Sequence, residues 1–359
     1  MCCPAPGRRW WIFCTIPLAV TLLIGGRLTD RLGYRAMLIV GESVFLAGSI
    51  GCYLAPSWSV LLAARGLQGL GAAAMLPASL AALTSLWAEG AARAKALGVW
   101  SSVSASATAL GPVIGGLLIA WTNWRGVFAI NIPLCAAALV GVFALDRAPT
   151  ATDNGRRAPR SRSLAGASVA AFLMTTVGNG VLIAVTIYLQ YALGLSALST
   201  GLLMLIATVP FVAFGPLTGH LMHGYGRRRV ACAGFATGAL FLLALTQAGP
   251  GLAIVWIGLG LLGIGIALGL MTPSIVGEGM AALPGAPGLA GGLNNTARQL
   301  GTSVGVAASG ALVAHHSQIV HGVHLVGVAA AAVWLLGGLV VVMLFQRRMP
   351  GSTGAKANR

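Results

Sequence analysis

Hydrophobic positions run through this chain in long unbroken blocks, with the polar positions gathered between them. A helix rising 1.5 Å per residue needs about 20 apolar residues to cross the hydrocarbon core of a bilayer. Blocks of that order fall at about 10–26, 36–55, 59–81, 95–120 and 127–145. They resume at about 165–190, 198–222, 229–247, 251–272, 287–314 and 322–346. The pattern predicts an all-α membrane protein with about eleven transmembrane helices, five before a polar stretch and six after it. That stretch is rich in Pro, Asn, Gly, Ser and Arg and cannot bury apolar surface. The expected division is an N-terminal helical bundle (1–145), a cytoplasmic linker (146–164), a C-terminal six-helix bundle (165–348) and a cytoplasmic tail (349–359).

Composition narrows the class. Of 359 residues, 57% are hydrophobic and only 8% charged, far too little polar surface for a soluble protein of this length. The net charge of +16 does not point to nucleic acid, because the arginines cluster in short loops rather than forming a stripe with interleaved aromatics. It points to membrane orientation. Eighteen of the 22 basic residues, counting Arg298 among them, fall at alternate ends of the blocks and mark one cytoplasmic face, which places the C-terminus in the cytoplasm. The six cysteines are scattered without metal-ligand or disulfide spacing, and the histidines lie at loop ends, so no metal or cofactor is expected. No nucleophile–base pair or phosphate-binding loop suggests an enzyme.

The chemistry sits in four constellations. Gly26, Asp30, Arg31, Gly33 and Arg35 pack charges and glycines into the first tight turn; Asp30 is placed to stabilise the start of the next helix and pair with a neighbouring arginine. Gly219 to Arg228 repeats this turn in the second half, with glycines again seven apart and His223 in place of the acid. Arg65 lies inside an apolar run, where an arginine faces a cavity or a partner; Glu42 is the one acid well within a block, and the two form a candidate proton-coupling pair. Gly98, Gly111, Pro112, Gly115 and Gly116 share one predicted helix, which the proline kinks and the glycines let approach a neighbour closely. Gln68, Thr108, Asn179, Tyr188, Gln190 and Asn294 are the polar candidates for lining a substrate path.

These runs resemble the major facilitator superfamily of transporters. The first turn matches G-x-L-x-D-R-x-G-x-R/K, and Arg65 with Gln68, Gly69, Gly71, Ala72 and Ala73 matches R-x-x-Q-G-x-G-A-A. The third run is similar to the antiporter motif G-x8-G-x3-G-P-x2-G-G, with Ala107 where a glycine is usual. Trp124 to Pro133 looks like the W-R-x-x-F-x-I-N-x-P entry of the EmrB/QacA-type drug:proton antiporters, whose typical members have more helices than this chain has room for. The resemblance implies two bundles that rock about a central site and export small hydrophobic or amphipathic compounds in exchange for protons. It implies a monomer in the bacterial inner membrane, with lipid, substrate and protons as partners and no nucleic acid. Against the family pattern the first helix, which usually carries an intramembrane acid, is missing, so a late start, a truncation or a frameshift is expected. A truncated homologue without transport, or a receptor or scaffold keeping the fold, are the alternatives.

Overall fold

The computed structural model of the protein describes residues 10–87, 90–144, 161–249, 251–314 and 319–346. The expected residues 1–9, most of the linker and the tail lie outside that set. The described residues form helices throughout: α1 (Trp10–Leu32), α2 (Tyr34–Leu54), α3 (Trp58–Leu86), α4 (Ala91–Trp121), the short α5 (Gly126–Ala129), α6 (Asn131–Ala144), α7 (Ser161–Ile187), α8 (Ala197–Tyr225), α9 (Arg227–Leu242), α10 (Ala253–Ala282), α11 (Pro287–Ala314) and α12 (Ile319–Leu344). α5 and α6 are one rod broken at Ile130, and a π-helical turn at Tyr188–Ala192 extends α7. The described rods therefore number eleven, five and then six. Eight of them meet strict length and hydropathy requirements for a membrane span. The linker ends earlier than expected, since α7 already begins at Ser161 and takes in residues 161–164.

The two halves repeat one another in detail. Gly33 between α1 and α2 has φ 85° and ψ 149°, and Gly226 between α8 and α9 has φ 82° and ψ 153°. Side chains other than glycine rarely adopt these angles, so the same sharp turn is built twice from the same residue at the same place in the motif. By this correspondence α1 to α4 match α8 to α11, while α7 has no counterpart among the described residues of the first half.

In lipid, apolar surface gives helices little reason to associate, so packing depends on close fit. The C-terminal bundle is built around α7. Gly301 and Gly305 of α11 lie against the backbone oxygens of Phe172 and Thr176 on α7, and the buried Trp334 of α12 covers Gly238 of α9. Its core is continuous, with Phe235, Leu242, Leu261 and Trp334 almost fully buried. In the N-terminal bundle α2 and α3 pack through Gly41, Gly48 and Gly71. α4 touches α3 and α5 only lightly and lies mainly against α8 of the other bundle.

Candidate functional site

The helix ends that carry the Gly33 and Gly226 turns, with Arg93 and Arg162 nearby, form a basic end. Contacts between the two bundles gather there. At the α1–α11 crossing a Cβ on Gly26 would stand 2.5 Å from the Gly288 oxygen, so only glycine fits. Gly98 of α4 meets the backbone of Gly215 on α8 in the same way, and the Ser102 hydroxyl donates to the Val212 oxygen at 2.7 Å. Leu80, Leu97, Val276, Met280 and Ala290, from α3, α4, α10 and α11, form a buried apolar plug beside them. Gly201, two heptads before Gly215 along α8, has open space where its Cβ would be.

Asp30 fastens this closed end. Its Oδ1 accepts the Gly288 N–H at 2.6 Å and its Oδ2 the Leu289 N–H at 2.8 Å, joining residues more than 250 positions apart in the chain. The accounting at the start of α11 is then complete. Pro287 has no N–H, Gly288 and Leu289 donate to Asp30, and the Ala290 N–H bonds the Ala286 oxygen. The carboxylate also lies at the positive end of the helix dipole. This corrects the sequence expectation. Asp30 stabilises a helix start in the opposite bundle, while α2 begins at Gly33 with no side-chain cap, and no arginine pairs with Asp30 among the described residues. The sequence held a weak signal for the true partner: Leu283 to Gly288 contains no Ser, Thr, Asp or Asn to cap α11 locally, which leaves its first N–H groups open to a partner from elsewhere.

The other members of the first turn divide. Arg35 donates to the Val142 and Phe143 oxygens at 3.3 and 2.9 Å and so caps the end of α6, whereas Arg31 is exposed. In the second half Arg227 pairs with Glu278 at 3.8 Å, and His223 is exposed.

The Arg65–Glu42 pair does not form. Arg65 Nη1 donates to Gln68 Oε1 at 2.9 Å, and its guanidinium lies 5.9 Å from the Phe128 ring centroid. Gln68 in turn donates to Ser49 at 2.7 Å. Glu42, about two turns nearer the basic end than Ser49, is half-buried beside Cys135 of α6. The separation follows from helix geometry: Ser49, at the depth of Arg65, is seven residues or about 10 Å along α2 from Glu42.

Among the described glycines of the antiporter-like run, Gly98 makes the expected close approach. Gly111 and Gly115 lie against open space, and the side-chain positions of Thr108, Pro112 and Gly116 are outside the described set, although α4 runs through all three. Of the lining candidates, Gln68 and Tyr188 are buried in packing, each about 2% exposed. Asn179 donates to Thr302 Oγ1 at 3.1 Å and ties α7 to α11, and Gln190 is half-buried in the π-helical turn. Asn294 is buried with neither amide atom bonded.

Arg298 corrects the orientation count. It does not lie at a loop but eleven residues into α11, about 16 Å along the helix. Only α11 of the C-terminal rods falls short of the strict hydropathy requirement, because Arg298 and Gln299 interrupt it. A shallow cavity of about 430 Å³ at the opposite end is lined by Pro56, Trp58, Leu61, Trp124 and Arg125. Arg125 is committed there to the Ala55 oxygen and the Trp124 ring, so it anchors a loop.

Comparison with known proteins agrees with this architecture. The Major Facilitator Superfamily profile matches residues 11–306 and again 167–359. The multidrug resistance protein Stp of Mycobacterium tuberculosis (strain CDC 1551 / Oshkosh) is 31% identical, over 86% of this chain and 69% of its own length. The methylenomycin A resistance protein of Streptomyces coelicolor is 28% identical, over 92% of this chain and 83% of its own length. The structure of the E. coli fucose:proton symporter FucP matches with a TM-score of 0.74 over 94% of this chain and 91% of that one; at 13% identity this is a likeness of fold.

Proposed function

The chain belongs to the major facilitator superfamily, a family of multi-pass membrane transporters rather than enzymes, and on that premise we propose that it exports small hydrophobic or amphipathic compounds, drugs and antibiotics among them. The relatives named for multidrug and methylenomycin A resistance support export as the direction. Alternating access is the mechanism. The observation that carries it is the Asp30 carboxylate on the α11 start, a contact made of two hydrogen bonds between rigid bundles that parts when they rock. The basic end lies on the cytoplasmic side of a bacterial inner membrane, with the C-terminus on that side, so the present conformer is closed inward.

Proton antiport is the coupling we assign. Of the described acids, Asp30 and Glu278 are engaged at the basic end, which leaves Glu42, within a span beside Cys135, as the group to carry the proton. The protein works as a monomer, because its own two halves supply both walls of the path. Expression in a bacterium stripped of its own efflux pumps tests the reading. Cells should retain less of at least one amphipathic dye than cells carrying the empty vector, and a protonophore should erase the difference. Equal retention across anionic, cationic and neutral dyes contradicts it.

A further inference from the structure

The side chain that the transport reading leaves unexplained is Arg298. It lies inside α11, half-buried, and its guanidinium makes no ion pair and no hydrogen bond to any described residue. Of the described acids, Asp30 is held by the α11 start and Glu278 by Arg227, and Glu42 lies on α2 beside Cys135 of α6. A cation held in a span without a counter-charge is rare, and its partner is normally a ligand or a polar path.

The second observation lies one turn nearer the helix start. Asn294 is 4% exposed, and both its Oδ1 and Nδ2 are buried without a partner. Native proteins seldom leave both ends of a buried amide unpaired. Gly291, Asn294 and Arg298 follow the i, i+3, i+7 spacing of one helix face. Gly291 on that face lies against Pro77 of α3, 3.3 Å from where its Cβ would be, so the face looks across the interface between the two bundles. Two contacts hold this stretch of α11 in place: the Thr175 hydroxyl donates to the Arg298 carbonyl oxygen at 2.8 Å, and Asn179 donates to Thr302.

We propose that Arg298, with Asn294 beside it, is an anion-binding subsite on the substrate path, and that it receives the carboxylate of an amphipathic organic acid. The guanidinium offers five N–H donors in a planar fork that matches a carboxylate, and the amide supplies a further donor. The plug of Leu80, Leu97 and Met280 nearby is buried in this conformer, and it gives apolar surface to the rest of such a molecule when the bundles rock apart. About 16 Å along the helix from the basic end, the subsite is too deep for a lipid headgroup resting at the interface. The inference rests on the transporter reading and narrows its substrate class.

The test is binding, not transport. Fluorescein and rhodamine 6G share a xanthene frame and differ in charge. Each is titrated by fluorescence anisotropy against the full chain in detergent micelles. Wild type should bind fluorescein saturably, and Arg298→Gln should weaken it by about ten-fold or more, with Arg298→Lys between the two. The same Gln substitution should shift the fluorescein-to-rhodamine preference toward the cation. Asn294→Ala, a milder change, should weaken fluorescein by several-fold and serves if Arg298→Gln fails to fold. Absence of saturable fluorescein binding to wild type overturns the proposal. So does unchanged fluorescein affinity in whichever of the two variants folds. Failure of the transporter reading would look different: fluorescein would still bind in an Arg298-dependent way, but no dye would cross the membrane.

Discussion

Replacing Asp30 by asparagine should unfasten the closed end. The carboxylate accepts N–H groups from Gly288 and Leu289 at 2.6 and 2.8 Å. An amide keeps one acceptor oxygen, so one of two charge-assisted bonds is lost, each worth about 1.5–3 kcal/mol net. The interaction with the helix dipole, about 0.3–1 kcal/mol, goes with it. Relief of the desolvation borne by a half-buried carboxylate offsets part of this, leaving about 2 kcal/mol. At 1.4 kcal/mol per factor of ten, the inward-closed population falls about thirty-fold relative to the open one. Ala290, about 1% exposed in the plug, is a suitable reporter. In a background with all cysteines replaced, Ala290→Cys should react with N-ethylmaleimide at a rate set by the open fraction. Asp30→Asn should raise that rate by about thirty-fold. A change of less than two-fold would refute the reasoning, because the contact would then not hold the end shut.

Other substitutions test the remaining parts. Gly98→Val places two methyl groups against the Gly215 backbone, so efflux should fall about ten-fold or more with normal membrane insertion, whereas Gly201→Ala, facing open space, should have little effect on the same assay. Arg35→Ala removes the caps on Val142 and Phe143 and should cost about 1–2 kcal/mol, seen as a drop of about 1–3 °C in the melting temperature of the detergent-solubilised protein; an unshifted melt argues against the cap. Glu42→Gln should abolish the acceleration of dye export by an imposed proton gradient, and a variant accelerated like its parent removes Glu42 as the proton carrier.

The number of rods and their division were legible because a bilayer imposes one length and one polarity on every span. The glycine turns were legible too, since Gly33 and Gly226 need positive φ and recur at the same place in two copies of one motif. What could not be read was which helix lies opposite which. Asp30 carried a clear preference for a helix N-terminus, but two lay within the sequence's logic, α2 next door and α11 in the other half. Only the fold chooses the distant one. Arg65 and Glu42 looked like partners because each is a charge in an apolar block. Their depths differ: Arg65 is held by Gln68, and Glu42 lies about two turns away beside Cys135. Arg298 was counted with the charges of the cytoplasmic face although the expected block 287–314 already enclosed it; its charge was read for orientation, and its depth in α11 was not.

The most direct test is transport across a sealed membrane with the latch as the variable. In inverted vesicles, acidification of the lumen should drive inward accumulation of an amphipathic dye by the wild-type chain. Asp30→Asn vesicles carrying the same amount of inserted protein should accumulate at least ten-fold less. Accumulation that is no greater than in vesicles lacking the protein, or that is the same with aspartate and asparagine at position 30, would contradict an alternating-access exporter fastened by Asp30 on the start of α11.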